Sequence, residues 1–228
     1  MVRLGVVAAG AAMILAACGQ VQLGAAALYG GQRITASRLS AEASDLSAAY
    51  TRYQSKLRIS YRPAGIPARA LSWMLRFAIV NRLAARQNIH VTPHEAGVAL
   101  GLAKAQLKQS GVTLPEFAVL YGLPPDMVNP GLGYWIDIQN KLEARLAGGA
   151  LPTTPTARQQ FTLQLGHLEC QAAKSLDIKV NPQYGAFDYG QTGLSSGAAV
   201  VLVPSTLAAA PSGVRPVPSP APQLTPKC

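Results

Sequence analysis

From Ala36 to Leu176 the apolar positions recur every three or four residues in six blocks, which predicts a mainly α-helical chain. Leu39, Ala43, Leu46, Tyr50 and Tyr53 carry the first block, with Thr35 placed to cap it at Ala36 and an end near Leu57. The breaker Tyr61-Arg62-Pro63-Ala64-Gly65-Ile66-Pro67 separates it from a second helix, expected over about Ala68 to Gln87. There Leu71, Met74, Leu75, Ala78, Ile79 and Leu83 form one stripe, and Trp73, Phe77, Val80 and Ala84 an adjacent one. A helix so apolar needs neighbours on most sides, which makes it the expected centre of the fold. Thr92-Pro93-His94-Glu95 reads as a capping box opening a third helix that stops at Gly111. Thr113 to Glu116 opens a short fourth one, ended by Gly122. Trp135, Ile138, Leu142 and Leu146 mark a fifth, and Phe161, Leu165, Leu168 and Ala172 a sixth.

The flanks read differently. Ala25 to Tyr29 and Arg33-Ile34, separated by Gly30-Gly31, predict a short strand pair. Asn181 to Asp188 is extended and turning, and Ala198 to Val203 suits a weak strand. From Pro204 onward Pro, Ala and Ser dominate, a composition that predicts disorder or polyproline stretches. The expected organisation is a folded domain over 25–188 followed by a mostly disordered tail over 189–228.

Composition adds an uneven charge. The chain has 228 residues, 20 Lys and Arg against 10 Asp and Glu, and a formal net charge of +10. Between Asp45 and Glu95 there is no acid, but there are eight bases: Arg52, Lys56, Arg58, Arg62, Arg69, Arg76, Arg82 and Arg86. These are either solvated helix faces or a surface for anions.

The chain opens with a basic residue, Arg3, an apolar run from Gly5 to Ala17, and then Leu15-Ala16-Ala17-Cys18 at its end. This is the layout of an export signal. Leu15 to Cys18 resembles the lipobox of bacterial lipoproteins. The resemblance implies cleavage before Cys18 and a diacylglycerol on its sulfur, with 1–17 removed and 18–24 left as a lipidated tether. The alternative, a helix retained in the bilayer, needs about 20 apolar residues, more than this run supplies. An exported, membrane-anchored basic protein meets anionic lipids, wall polymers and emerging polypeptides rather than nucleic acid.

Two further stretches carry a second resemblance. Ala27-Leu28-Tyr29-Gly30-Gly31-Gln32-Arg33-Ile34-Thr35, with Leu39, resembles the start of the SurA/PrsA-type chaperone domain. Asn181-Pro182-Gln183-Tyr184-Gly185, with Phe187-Asp188, is similar to the segment after the last helix of that domain in actinobacterial lipoproteins with a SurA N-terminal domain. The resemblance implies a helical domain that cradles unfolded or extended polypeptide. In that family a parvulin-type prolyl isomerase domain often sits before the last helix. Here the corresponding gap, Gly148 to Thr156, is too short for a domain. The resemblance therefore implies no isomerase activity and transfers no catalytic residue.

The residues agree with a non-enzymatic reading. No Gly-x-Ser-x-Gly turn and no phosphate loop occur. His90, His94 and His167 stand without the further ligands a metal needs, and no cofactor is expected. For peptide binding the candidates are Tyr121, Tyr134 and Trp135, with Tyr134 expected to be the exposed one, and with Trp73 and Phe77 read as core. Counting 100° per residue from Phe161 puts Cys170 on the outer face of the last helix. With Cys228 at the other end of the tail, this suggests a Cys170–Cys228 disulfide; free thiols or an intermolecular bridge through Cys228 are the alternatives. The favoured function is a membrane-tethered chaperone-like protein. The alternative is a cell-envelope module using its basic face on anionic lipids or wall polymers.

Overall fold

The computed structural model describes residues 24–148 and 154–195. Cys18 and the lipobox, the strand expected at Ala198 to Val203, the Pro-rich tail and Cys228 lie outside these residues. Within them the fold is mainly helical, as the periodicity predicts. The order is β1 (Ala25–Tyr29), β2 (Gln32–Thr35), α1 (Ala36–Leu57), α2 (Ile66–Arg86), α3 (Pro93–Gln109), α4 (Leu114–Tyr121), α5 (Gly133–Leu146), α6 (Pro155–Lys174), β3 (Lys179–Val180), β4 (Ala186–Asp188) and β5 (Gly193–Ser195).

Local chemistry sets most boundaries. Thr35 is extended, and its hydroxyl accepts from the Arg38 amide at 3.1 Å, which satisfies a free donor of the first turn of α1. Arg58 closes that helix in a left-handed conformation, φ 51°. At α3 the Thr92 hydroxyl accepts from the Glu95 amide while the Glu95 carboxylate accepts from the Thr92 amide at 2.7 Å. Glu116 does the same for the Thr113 amide at 2.8 Å before α4. Gly122 ends α4 at φ 65°, where a side chain would be strained. The segment between α4 and α5 is a 3₁₀ turn (Pro125–Met127) followed by a kinked stretch (Val128–Leu132) in which Asn129 is extended, φ −125° and ψ 119°.

Helix α2 is central, with Ala70, Leu71, Leu75, Ile79, Val80 and Leu83 almost fully buried. It packs against α1 on one side, α6 and α5 on others, and β5. Removing this apolar surface from water contributes about 1.5–3 kcal/mol per large side chain. A second, smaller cluster of Leu100, Ala118, Leu123, Val128 and Leu132 ties α3 and α4 to the connector, with Phe77 and Trp73 of α2 packed against it. The strand order is β2-β1-β3, all antiparallel, with Ala27 opposite Ile34 on one side and Val180 on the other. The segment after α6 thus returns to the first strand, and the Gly30 amide donates to the Leu176 carbonyl at 2.6 Å.

Two expectations need correction. The ordered fold does not stop at Asp188, because β5 pairs with β4 and packs on α2. Tyr189 holds this extension: its hydroxyl accepts from the Ile178 amide at 3.0 Å. And Cys170 is not on an outer face but fully buried. Helix α6 meets the core through its C-terminal end, at Cys170, Ala172 and Ala173, whereas Phe161, Leu165 and Leu168 are only half-buried. Counting from the large side chains misjudged the orientation because small ones make the closest approach.

Candidate functional site

An open groove of about 660 Å³ runs between the β1–β2 hairpin and α2. Its α2 wall is built by Met74, Phe77, Ala78, Asn81 and Arg82, whose spacing of three and four places them on one helical face. The hairpin supplies Tyr29, Gln32 and Ile34, and the first turn of α1 adds Arg38. Met127, from the 3₁₀ turn, faces them, and Ser175 with Leu176 closes the end at the last turn of α6. The volume lies within the range of ligand clefts. Two of the wall residues are methionines, whose unbranched thioethers adapt to differently shaped partners. Beside the groove, β2 forms one edge of its sheet, with no further strand paired to it among the described residues.

Among the described residues, the polar groups of the groove are basic or neutral and no acid lines it. Arg82 donates its Nε to the Ser175 hydroxyl at 3.1 Å, and that hydroxyl donates to the Ala172 carbonyl at 2.8 Å. Arg38 is exposed and stands one helical turn before Glu42. The Glu42 side chain is buried, and its Oε2 has no hydrogen-bond partner among the described residues. Burial pushes its pKa above the usual carboxylate value, Arg38 opposes this, and Asp126 adds to it. Among the described residues no cluster of three or more His, Cys, Asp or Glu could hold a metal.

The residues singled out for peptide binding do not line this groove. Tyr121 is exposed, with 45% of its surface accessible, and packs on Phe117 at 4.4 Å between ring centres. Its carbonyl accepts from Trp73 Nε1 at 3.0 Å, and Trp73 meets Trp135 edge to face at 6.4 Å. Tyr121 and Trp135 are therefore linked through Trp73. Trp135 itself is half-buried, with no partner for its Nε1 among the described residues. Tyr134, expected to be the exposed aromatic, is half-buried, because α5 packs closely along α3. Phe77, read as core, bridges the second cluster and the groove.

The basic series does not gather into one surface. Lys56 pairs with Glu116. Arg76 lies over the Trp73 ring at 5.6 Å, and Arg86 donates to the Gln171 carbonyl at 3.2 Å. Arg69 is half-buried beside Gly122, and only Arg82 reaches the groove. Arg52, Arg58 and Arg62 are exposed around the α1–α2 connection. Cys170 is disulfide-bonded. Sequence reading missed Tyr29, Arg38 and Met127 as site residues, since the groove joins segments from residue 29 to residue 176 that share no local pattern.

No protein-family model matches the chain, and neither a curated protein nor a solved structure does.

Proposed function

We propose that this protein is an exported lipoprotein, anchored through Cys18, that holds unfolded or extended polypeptide segments without enzymatic chemistry. The observation that carries the reading is the groove: half-buried apolar side chains of Tyr29, Phe77 and Met127, over buried Met74 and Ile34, next to the edge strand β2. An extended guest finds main-chain partners along such an edge and pockets for alternate side chains in the groove. The likeness of Ala27 to Thr35 and of Asn181 to Asp188 to the SurA/PrsA-type domain agrees with this reading. So does the Leu15-Ala16-Ala17-Cys18 lipobox, which would set the groove on the outer face of a membrane, where exported chains emerge unfolded.

The test is suppression of aggregation. The full chain, held in zwitterionic lipid nanodiscs, is mixed with a chemically unfolded reporter protein at low and at physiological salt. Suppression at both salts is expected, and Ala78→Trp, which fills the groove, is expected to abolish it. Failure at both salts overturns the reading. Suppression only at low salt points instead to a surface that binds anionic lipids or wall polymers through the exposed arginines.

A further inference from the structure

Six cations outside the groove have identifiable partners of their own. Lys56 pairs with Glu116, Lys141 with Glu95 and Asp137, and Lys179 with Asp177. Arg86 and Arg145 donate to the carbonyls of Gln171 and Gln87, and Arg76 rests on Trp73. The two arginines of the groove differ. Arg82 gives only its Nε to a neutral hydroxyl, and its terminal nitrogens have no partner among the described residues. Arg38 has no ion pair or side-chain hydrogen bond among them, and its charge acts only at a distance on the buried Glu42. Both guanidinium groups line one groove of mixed polar and apolar lining, in which no carboxylate occurs among the described residues.

We infer that this groove selects extended polypeptide segments in which an aspartate or glutamate side chain stands among apolar ones, with Arg38 and Arg82 receiving the carboxylate. The inference rests on the groove being the polypeptide site proposed above, and it adds a specificity. The guanidinium fork matches the two oxygens of a carboxylate, and charge-assisted hydrogen bonds are the stronger kind. Tyr29, Phe77 and Met127, the half-buried apolar side chains of the groove, then take the apolar neighbours of the acid. Gln32 and Asn81, which also line the groove, offer amides to the guest main chain. The same two cations repel a lysine or arginine at that position, so discrimination has a repulsive as well as an attractive part.

The test uses the full chain in zwitterionic nanodiscs and three fluorescent peptides, each acetylated and amidated so that only side-chain charge differs. They share an apolar frame of Leu, Val and Phe with a central Glu, Gln or Lys. The Glu peptide is expected to bind about tenfold more tightly than the Gln peptide, and the Lys peptide more weakly than either. The preference should shrink as salt is raised. The double variant Arg38→Gln, Arg82→Gln should bring the Glu peptide to the Gln peptide's affinity. Arg52→Gln, outside the groove, should keep the preference. Equal binding of the Glu and Gln peptides by the unaltered protein overturns the specificity and leaves the polypeptide site standing. A preference that survives the double variant, with an unchanged thermal midpoint, overturns the assignment to these arginines. If no peptide binds, the polypeptide reading itself falls, and the specificity with it.

Discussion

Gly133 and Ala96 approach so closely that a β-carbon on the glycine would overlap the alanine carbonyl oxygen and sit 3.0 Å from its carbonyl carbon. Gly133 opens α5, and Ala96 is buried in the first turns of α3, so this is where the two helices touch through backbone. No flexible side chain can give way. Gly133→Ala is expected to push α5 off α3 and lower stability by about 1–3 kcal/mol, read from the urea midpoint. Gly97 and Gly101, also on α3, have open space around a built β-carbon. Gly97→Ala and Gly101→Ala should be neutral or stabilising by up to about 1 kcal/mol, because alanine is the better helix former.

Glu116 has only 2% of its side-chain surface exposed, yet it is charged. The Lys56 ammonium and the Thr113 amide hold its pKa at about 2, and Lys141 with Thr92 does the same for Glu95. Both pKa values lie below the unfolded value of 4.5, so the unfolded chain binds these protons first as pH falls. Their stabilisation is complete above about pH 5 and is lost progressively toward pH 2. Glu116→Gln should lower the thermal midpoint at pH 7, and the difference from the unaltered protein should close as pH falls to about 2. A difference that stays constant with pH would mean the charge is not what matters.

Glu42 should show the opposite sign. It is buried on the α1 face toward the core, and burial raises its pKa above 4.5. An ionised carboxyl there costs stability that a protonated one does not, so its contribution is fully present below the unfolded pKa and fades as pH rises through the folded one. Glu42→Gln should therefore raise the thermal midpoint at pH 7, and the gain should disappear below about pH 4. Thermal unfolding of both proteins at pH 4 and 7 checks it; an equal gain at both values would assign the effect to packing.

The helices were legible because their signals are local. Thr35, Thr92 with Glu95, Thr113 with Glu116, and Gly122 act within one turn of chain, and each is observed in its expected role, with helix limits within about two residues of expectation. What depends on distant segments was not legible. Cys170 becomes buried because α6 docks through alanines, which no count along α6 alone reveals. The strand pair of β4 and β5 extends the fold past Asp188 because Tyr189 reaches Ile178, a contact without periodic signature. The groove is the clearest case. Tyr29 read as strand, Met74 as core stripe and Arg38 as the exposed side of a helix, and only their assembly around α2 makes them one surface.

Cys170 is fully buried and disulfide-bonded, and the chain has three cysteines in all. Its partner lies outside the described residues and is therefore Cys18 or Cys228 if the bond is within one chain. A diacylglyceryl group on Cys18 would occupy that sulfur in a thioether, which leaves Cys228. The expected result for protein isolated from membranes is one cross-linked peptide pair, Cys170 with Cys228, in a non-reduced digest. Cys228→Ser should free Cys170, and burial should make the thiol slow to alkylate until the protein is unfolded. A Cys170–Cys18 pair would overturn both the pairing and the lipid anchor, since the two modifications compete for one sulfur atom. The same digest thus tests the anchor from the far end of the chain, with a readout that does not depend on detecting the lipid.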